Sequence, residues 1–164
     1  MIDTSFMALV YCDGDQAGKQ WLDGDPASGW VSLSYGFSSA AQPGHTGTLW
    51  QFDRMAPNTY TLKNKGAGTA LPKRFLWAAD VNKDVILAPE STDDNVQWIF
   101  KQDVEDPVSG MMMYQILSKQ SEFGDLYLTG DTRGESGGVS LTDGKQGGNL
   151  TGLNWIVLVQ ATFS

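Results

Sequence analysis

Trp21-Leu22-Asp23-Gly24-Asp25, Val31-Ser32-Leu33 and Leu49-Trp50-Gln51-Phe52 follow one another in a recognisable order. A large apolar pair runs into a turn ending in Asp, a Val-x-Leu strand follows, and a Trp strand closes the unit. The pattern returns as Leu76-Trp77-Ala78-Ala79-Asp80, Val85-Ile86-Leu87 and Gln97-Trp98-Ile99-Phe100. It returns again as Tyr127-Leu128-Thr129-Gly130-Asp131, Val139-Ser140-Leu141 and Asn154-Trp155-Ile156-Val157. Each copy starts with a short alternating strand: Met7-Ala8-Leu9-Val10, Tyr60-Thr61-Leu62-Lys63 or Tyr114-Gln115-Ile116-Leu117. Leu33, Leu87 and Leu141 stand 54 residues apart, while Leu9 to Leu62 is 53 and Leu62 to Ile116 is 54. A period of this length is one supersecondary unit that cannot bury its own apolar face, so the copies must bury one another's.

Twelve short strands in three equal units predict an all-β chain, a barrel capped by hairpins: the β-trefoil, whose closure removes exposed strand edges. Three pseudo-symmetric four-strand repeats are expected at roughly residues 1–56, 57–108 and 109–164 of a single domain. The 19 Gly and 6 Pro in 164 residues supply the turns, and no long 3.6-residue period competes. With 41% hydrophobic residues, including 6 Trp and 7 Phe, the chain carries enough apolar surface for one core. Trp50, Trp98 and Trp155 recur at equivalent places among polar neighbours, as buried anchors of half-buried strands do. Trp21 and Trp77 align with Tyr127 to within a residue and are expected to pack near the barrel.

The net charge of −8, with 11 Lys plus Arg, excludes a basic stripe for nucleic acid and disfavours an anionic membrane surface. No stretch approaches the roughly 20 apolar residues of a membrane span, and no basic n-region precedes the short apolar run near the amino terminus. The expectation is a protein without membrane insertion, cytoplasmic or released without a signal peptide. Cys12 has no partner for an internal disulfide, so it is a packing residue or a thiol linking two chains. The sequon Asn149-Leu150-Thr151 matters only in a glycosylating compartment.

Enzyme signatures fail on residue supply. Gly134-Glu135-Ser136-Gly137-Gly138 has the form of a nucleophile elbow, but that motif needs a strand-to-helix turn and a following His, and His45 lies upstream. One His and one Cys leave no zinc set. Asp13-Gly14-Asp15 and Asp23-Gly24-Asp25 miss the calcium-loop spacing and read as tight turns. Asp23 and Asp25 sit on one turn, whereas glycoside hydrolysis needs carboxylates facing each other across a bond. No glycine-rich loop cradles a nucleotide. The expectation is a non-enzyme with no cofactor.

Trp21 to Asp25, Gly29-Trp30-Val31-Ser32-Leu33 and Thr46-Gly47-Thr48-Leu49-Trp50 together resemble one unit of the ricin-B-like β-trefoil lectins, and the third copy repeats the likeness. The resemblance covers nearly the whole chain and implies a non-enzymatic carbohydrate-binding protein with one to three shallow sites, its partners glycans or glycoproteins and its oligomeric state open. In that family an Asp near the end of an early strand works with an aromatic platform and an Asn three residues before the closing Trp. Asp23 matches the acid, with Ala78 and Thr129 at the aligned places of the other copies. Asn95 stands three before Trp98, where Gly47 and Gly152 stand elsewhere. The Q-x-W signature is replaced, with Thr48, Val96 and Leu153 two residues before the tryptophans.

Trp30 and Tyr35 flank the Val31 strand in the first copy alone, the other copies having Asp84 or Gly138 and Pro89 or Asp143. Aromatic rings that the repeat does not require are candidates for stacking on sugars. Asp25, Asp80 and Asp131 share a turn end, and a carboxylate there also accepts sugar hydroxyls. The candidate binding residues are therefore Asp23, Asp25, Trp30, Tyr35, His45, Asp80, Asn95 and Asp131, strongest in the first copy. The repeat also resembles the mycocypin-type protease inhibitors, which would act through loops such as 35–47. A module that docks on a partner protein is the third reading, since fold alone does not set function.

Overall fold

The computed structural model describes residues 5–12, 21–26, 28–34, 47–66, 73–79, 84–91, 93–105, 112–120, 125–131, 138–143 and 152–162. The strands among them are β1 (Phe6–Cys12), β2 (Trp21–Gly24), β3 (Val31–Ser34), β4 (Leu49–Ala56), β5 (Thr59–Asn64) and β6 (Phe75–Ala79). They continue as β7 (Asp84–Ala88), β8 (Gln97–Glu105), β9 (Met112–Ser118), β10 (Tyr127–Asp131), β11 (Gly138–Thr142) and β12 (Trp155–Thr162). One 3₁₀ turn, Asp94–Val96, leads into β8. These are the twelve strands expected from the repeat.

Six of them close a ring: β1 pairs with β4, β4 with β5, β5 with β8, β8 with β9, β9 with β12 and β12 with β1, all antiparallel. Every barrel strand is thus hydrogen-bonded on both sides, which is how a small all-β body disposes of its edges. The other six form the hairpins β2–β3, β6–β7 and β10–β11. They join the barrel through Tyr11 opposite Trp21, Lys63 opposite Phe75 and Leu117 opposite Tyr127.

The inner face of each hairpin is the same. Leu22 lies opposite Leu33, Leu76 opposite Leu87 and Leu128 opposite Leu141, all buried. One step along, Gly24, Ala78 and Gly130 lie opposite Val31, Val85 and Val139. The closing tryptophans lock these hairpins to the barrel. Each is fully buried, and each donates its indole N–H to a hairpin leucine carbonyl: Trp50 to Leu22 at 2.9 Å, Trp98 to Leu76 at 3.0 Å, Trp155 to Leu128 at 3.0 Å. A buried indole needs such an acceptor, and the three bonds satisfy it alike.

At the far end of the barrel the layer is aromatic. Phe6 stacks on Phe52 at 4.7 Å, and Tyr60 packs edge-on against Phe6, Phe52 and Phe100. Cys12 is buried and unbridged, its Sγ 3.5 Å from the Gly152 carbonyl oxygen, so the packing reading of this thiol is the one its position supports.

Strand register moves three sequence alignments by one or two residues. Ala8, Tyr60 and Tyr114 face Trp50, Trp98 and Trp155, so Val10, not Leu9, is the counterpart of Leu62 and Ile116. Asp23, Trp77 and Thr129 are equivalent, facing Ser32, Ile86 and Ser140, so Trp77 and not Ala78 stands where Asp23 does. Trp21 is matched by Phe75 and Tyr127, and Trp77, two positions on from Phe75, is turned to the outer face and half-buried. The repeat is degenerate in apolar residues at just these places, and only the pleat decides which of two adjacent apolar residues is inside.

Candidate functional site

The turn between β2 and β3 is built from its own side chains. The Asp25 N–H donates to the Trp30 carbonyl at 2.9 Å, and the Gly29 N–H donates to the Asp25 carbonyl at 2.7 Å. The Ser28 hydroxyl donates to the Asp25 carboxylate at 2.7 Å and accepts from the Trp30 N–H at 3.3 Å. Gly29 sits at φ +84, a conformation natural to glycine alone, which is what lets the chain turn straight into Trp30. The turn is then pinned to the second copy, because the Leu87 N–H donates to the Gly29 carbonyl at 2.8 Å and Trp30 bridges Ile86.

The result is a fixed backbone carrying a free ring. Trp30 is 72% exposed, and among the described residues only Met55 and Val159 are other exposed large hydrophobics. Both of those lie on barrel strands beyond the ends tied to the cap, at positions 55 and 159 of β4 and β12. An indole held by its main chain at the head of a strand loses little freedom when a ligand covers it. Asp25, also exposed, faces Trp30 across the turn through its main-chain hydrogen bond, and Lys73 runs its aliphatic chain past Gly29.

The remaining candidates are placed differently. Asp23 is buried on β2, opposite Ser32, one outer-face position before Asp25. Gly47 packs so closely that a Cβ there would stand 2.6 Å from an Asp23 carboxylate oxygen, so the chain at Gly47 covers the Asp23 side chain. Asn95 lies in the 3₁₀ turn, half-buried, with its side-chain oxygen buried and unpaired among the described residues. That turn packs on β6 and β9, and it is not part of the β2–β3 turn. Asp131 ends β10 opposite Gly138, in the same register place as Asp25 and Ala79. Tyr35, His45 and Asp80 lie outside the described residues, as do most of the loop 35–47 and the Ser136 turn.

Of the eight candidates, the structure therefore brings Asp25 and Trp30 together and sets Asp23 beneath them. Among the described residues no group of three or more His, Cys, Asp and Glu is arranged to hold a metal ion. No helix among them is long and apolar enough to cross a membrane. A concavity of about 450 Å³ opens between β9 and β12, lined by Met112, Tyr114 and residues 156–160, with no acidic side chain in its lining. Burial there pushes the Tyr114 phenol above its ordinary value of 10.0.

No protein-family model and no curated protein sequence matches this chain. Solved structures do. SeviL bound to the asialo-GM1 saccharide is similar with a TM-score of 0.57 and 16% identity, over 94% of this chain and 98% of that one. The BEL β-trefoil superposes with a TM-score of 0.64 and 14% identity, over 98% and 97%. A mosquitocidal holotoxin is similar at 0.64 and 11% identity, this chain covering 98% of itself but 18% of the holotoxin chain. The likeness is one of fold: a closed six-strand barrel with three capping hairpins, the β-trefoil.

Proposed function

We propose that this chain is a carbohydrate-binding protein without catalytic activity, and that its principal site is the first-copy turn carrying Trp30 and Asp25. The observation that carries the reading is the exposed Trp30 ring on a backbone hydrogen-bonded at both its N–H and its carbonyl. The fold does not ask for an aromatic residue there, since the register-equivalent residues are Asp84 and Gly138. Pyranose rings present apolar C–H faces that stack on indoles, while their hydroxyls donate to carboxylates, and Trp30 beside Asp25 offers both. SeviL, of similar fold, is bound to a saccharide, which supports the reading.

A glycan array at neutral pH tests it, with Trp30→Ala and Asp25→Ala alongside the native protein. Binding to at least one glycan class is expected, weakened roughly tenfold, or about 1.4 kcal/mol, by Trp30→Ala. Silence across the array removes the reading; binding that survives both changes moves the site away from the first copy.

The structural matches also favour a second reading, a trefoil that serves as the docking part of a larger assembly. This chain corresponds to 18% of the holotoxin chain and 48% of the lysenin pore chain, the latter with a TM-score of 0.58 and 12% identity. Co-purification from the native source checks it, and a clean monomer with no partner counts against it.

A further inference from the structure

Directly opposite residues on antiparallel strands present their side chains on one face, so register alone defines rows across the cap. Three such rows run over its outer face, each crossing from one copy into another. The first is Asp25 just past the end of β2, Trp30 just before β3, Ile86 on β7 and Trp77 on β6. The second is Ala79, Asp84, Ser140 and Thr129, and the third is Asp131, Gly138, Ser32 and Asp23. The geometry is three-fold, and the chemistry is not. Two rows are small and polar; one holds two tryptophans with an isoleucine between them and an exposed carboxylate at its end.

From this we infer that the binding site spans the junction of the first and second copies, and that its ligand is an oligosaccharide whose two consecutive rings lie along Trp30, Ile86 and Trp77. The inference rests on the carbohydrate reading and extends it to two residues, Ile86 and Trp77, that no lectin-like motif picks out. Leu87 N–H bonding to Gly29 carbonyl makes Trp30 and Ile86 a pair of the non-hydrogen-bonded type, the closer of the two, so their side chains touch the same ligand. Two strand intervals separate Trp30 from Trp77, roughly 9–10 Å, the reach of two linked pyranose rings laid flat. Trp30 is exposed, and Ile86 and Trp77 are half-buried, so the row slopes from a free ring into a shallow seat.

A protein partner is a poorer fit to the row. A stable interface buries roughly 800 Å² on each side around a cluster of apolar anchors, whereas Trp30 is the one exposed large hydrophobic of the cap among the described residues. The row ends in Asp25 just past β2 and in Trp77 on β6, which bounds the length of what it holds.

Titration by tryptophan fluorescence and calorimetry tests the inference with galactose, lactose and galactose-terminated tri- and tetrasaccharides, and with glucose, cellobiose, cellotriose and cellotetraose. In the series that binds, the disaccharide is expected to be at least tenfold tighter than the monosaccharide, with less than threefold gained by the next ring. Trp77→Ala and, as a variant that keeps a β-branched strand residue, Ile86→Thr should bring the disaccharide down to the level of the monosaccharide. Equal affinity for one ring and two, or a Trp77→Ala protein that folds and binds the disaccharide like the native one, overturns the shared site while leaving carbohydrate binding intact. Binding unchanged by Trp30→Ala overturns it as well, and absence of binding to every saccharide removes the carbohydrate reading with it.

Discussion

On the inner face of the cap hairpins, Leu22, Leu76 and Leu128 repeat one residue three times; on the outer face, the next positions of the same strands hold Asp23, Trp77 and Thr129. The two faces share a backbone and differ in what constrains them. Inside, each leucine meets another leucine and lends its carbonyl to a tryptophan, so any change of volume or polarity disturbs three elements at once. Outside, Asp23 and Thr129 are buried and Trp77 half-buried, yet the three differ in size and polarity, so the fold asks there for a strand residue without fixing its side chain. Repetition within this molecule therefore records packing, and departure from it on the outer face is where a ligand has room to act.

The largest effect that separates the two faces is on stability. Trp98→Ala removes a fully buried indole and its hydrogen bond to Leu76, at a cost of about 3–5 kcal/mol, and a large share of a domain's total stability goes with it. Chemical denaturation should show the protein unfolded or nearly so. A loss below about 1 kcal/mol would mean that the equivalence of the three tryptophans is one of sequence and not of structure.

A smaller effect is expected where the first and third copies agree and the second does not. Gly47 and Gly152 each accept a hydrogen bond from the N–H of Gly24 or Gly130 at 3.0 Å, and a Cβ on either would stand 1.8 or 2.2 Å from the facing carbonyl oxygen. Gly152 also sits at φ +91. Gly152→Ala should cost about 1–3 kcal/mol. Asn95, in the corresponding place of the second copy, lies in the 3₁₀ turn, and Asn95→Ala should be tolerated there because its side-chain oxygen gives up no hydrogen bond seen among the described residues. Equal losses at both sites would put the second copy back under the same constraint as the other two.

Twelve strands, the core role of Trp50, Trp98 and Trp155, and the exposure of Trp30 were legible in the sequence, because the inner face repeats and Trp30 has no counterpart. The aromatic row was not. Trp77 follows Leu76 directly, and an apolar pair does not say which member points inward until the partner strand fixes the pleat. The bridge between Trp30 and Ile86 joins residues 56 positions apart in different copies, and no local pattern encodes it. Asp23 reads as a sugar-binding acid because its motif resembles a lectin turn; the close approach of Gly47 that buries it is a tertiary contact.

Away from the cap, alkaline pH probes the barrel. Burial raises the Tyr114 phenol above 10.0, so the folded protein holds that proton more tightly than the unfolded chain. The contribution is fully present below pH 10 and is lost as pH rises from there through the raised value. Tyr114→Phe should flatten that alkaline decline in melting temperature and leave the profile between pH 6 and 9 parallel to the native one. An unchanged decline would assign the alkaline loss to other tyrosines.

The smallest expected effect is the most discriminating. Trp30→Ala removes the largest exposed side chain of the cap while leaving intact every backbone bond that holds the turn: Asp25 N–H to the residue 30 carbonyl, Gly29 N–H to Asp25, and Leu87 N–H to Gly29. Substitutions of exposed residues away from such features shift stability by no more than about 0.5 kcal/mol, so the melting temperature should barely move. Trp77→Ala, on the same row but half-buried, should cost more, and its loss must be set against its effect on binding. If Trp30→Ala lowers the melting temperature as much as Trp77→Ala does, the ring is a prop of the junction between the first two copies and the outer face is under packing constraint after all. If it leaves the fold untouched and abolishes saccharide binding, the indole at position 30 is kept for its ligand.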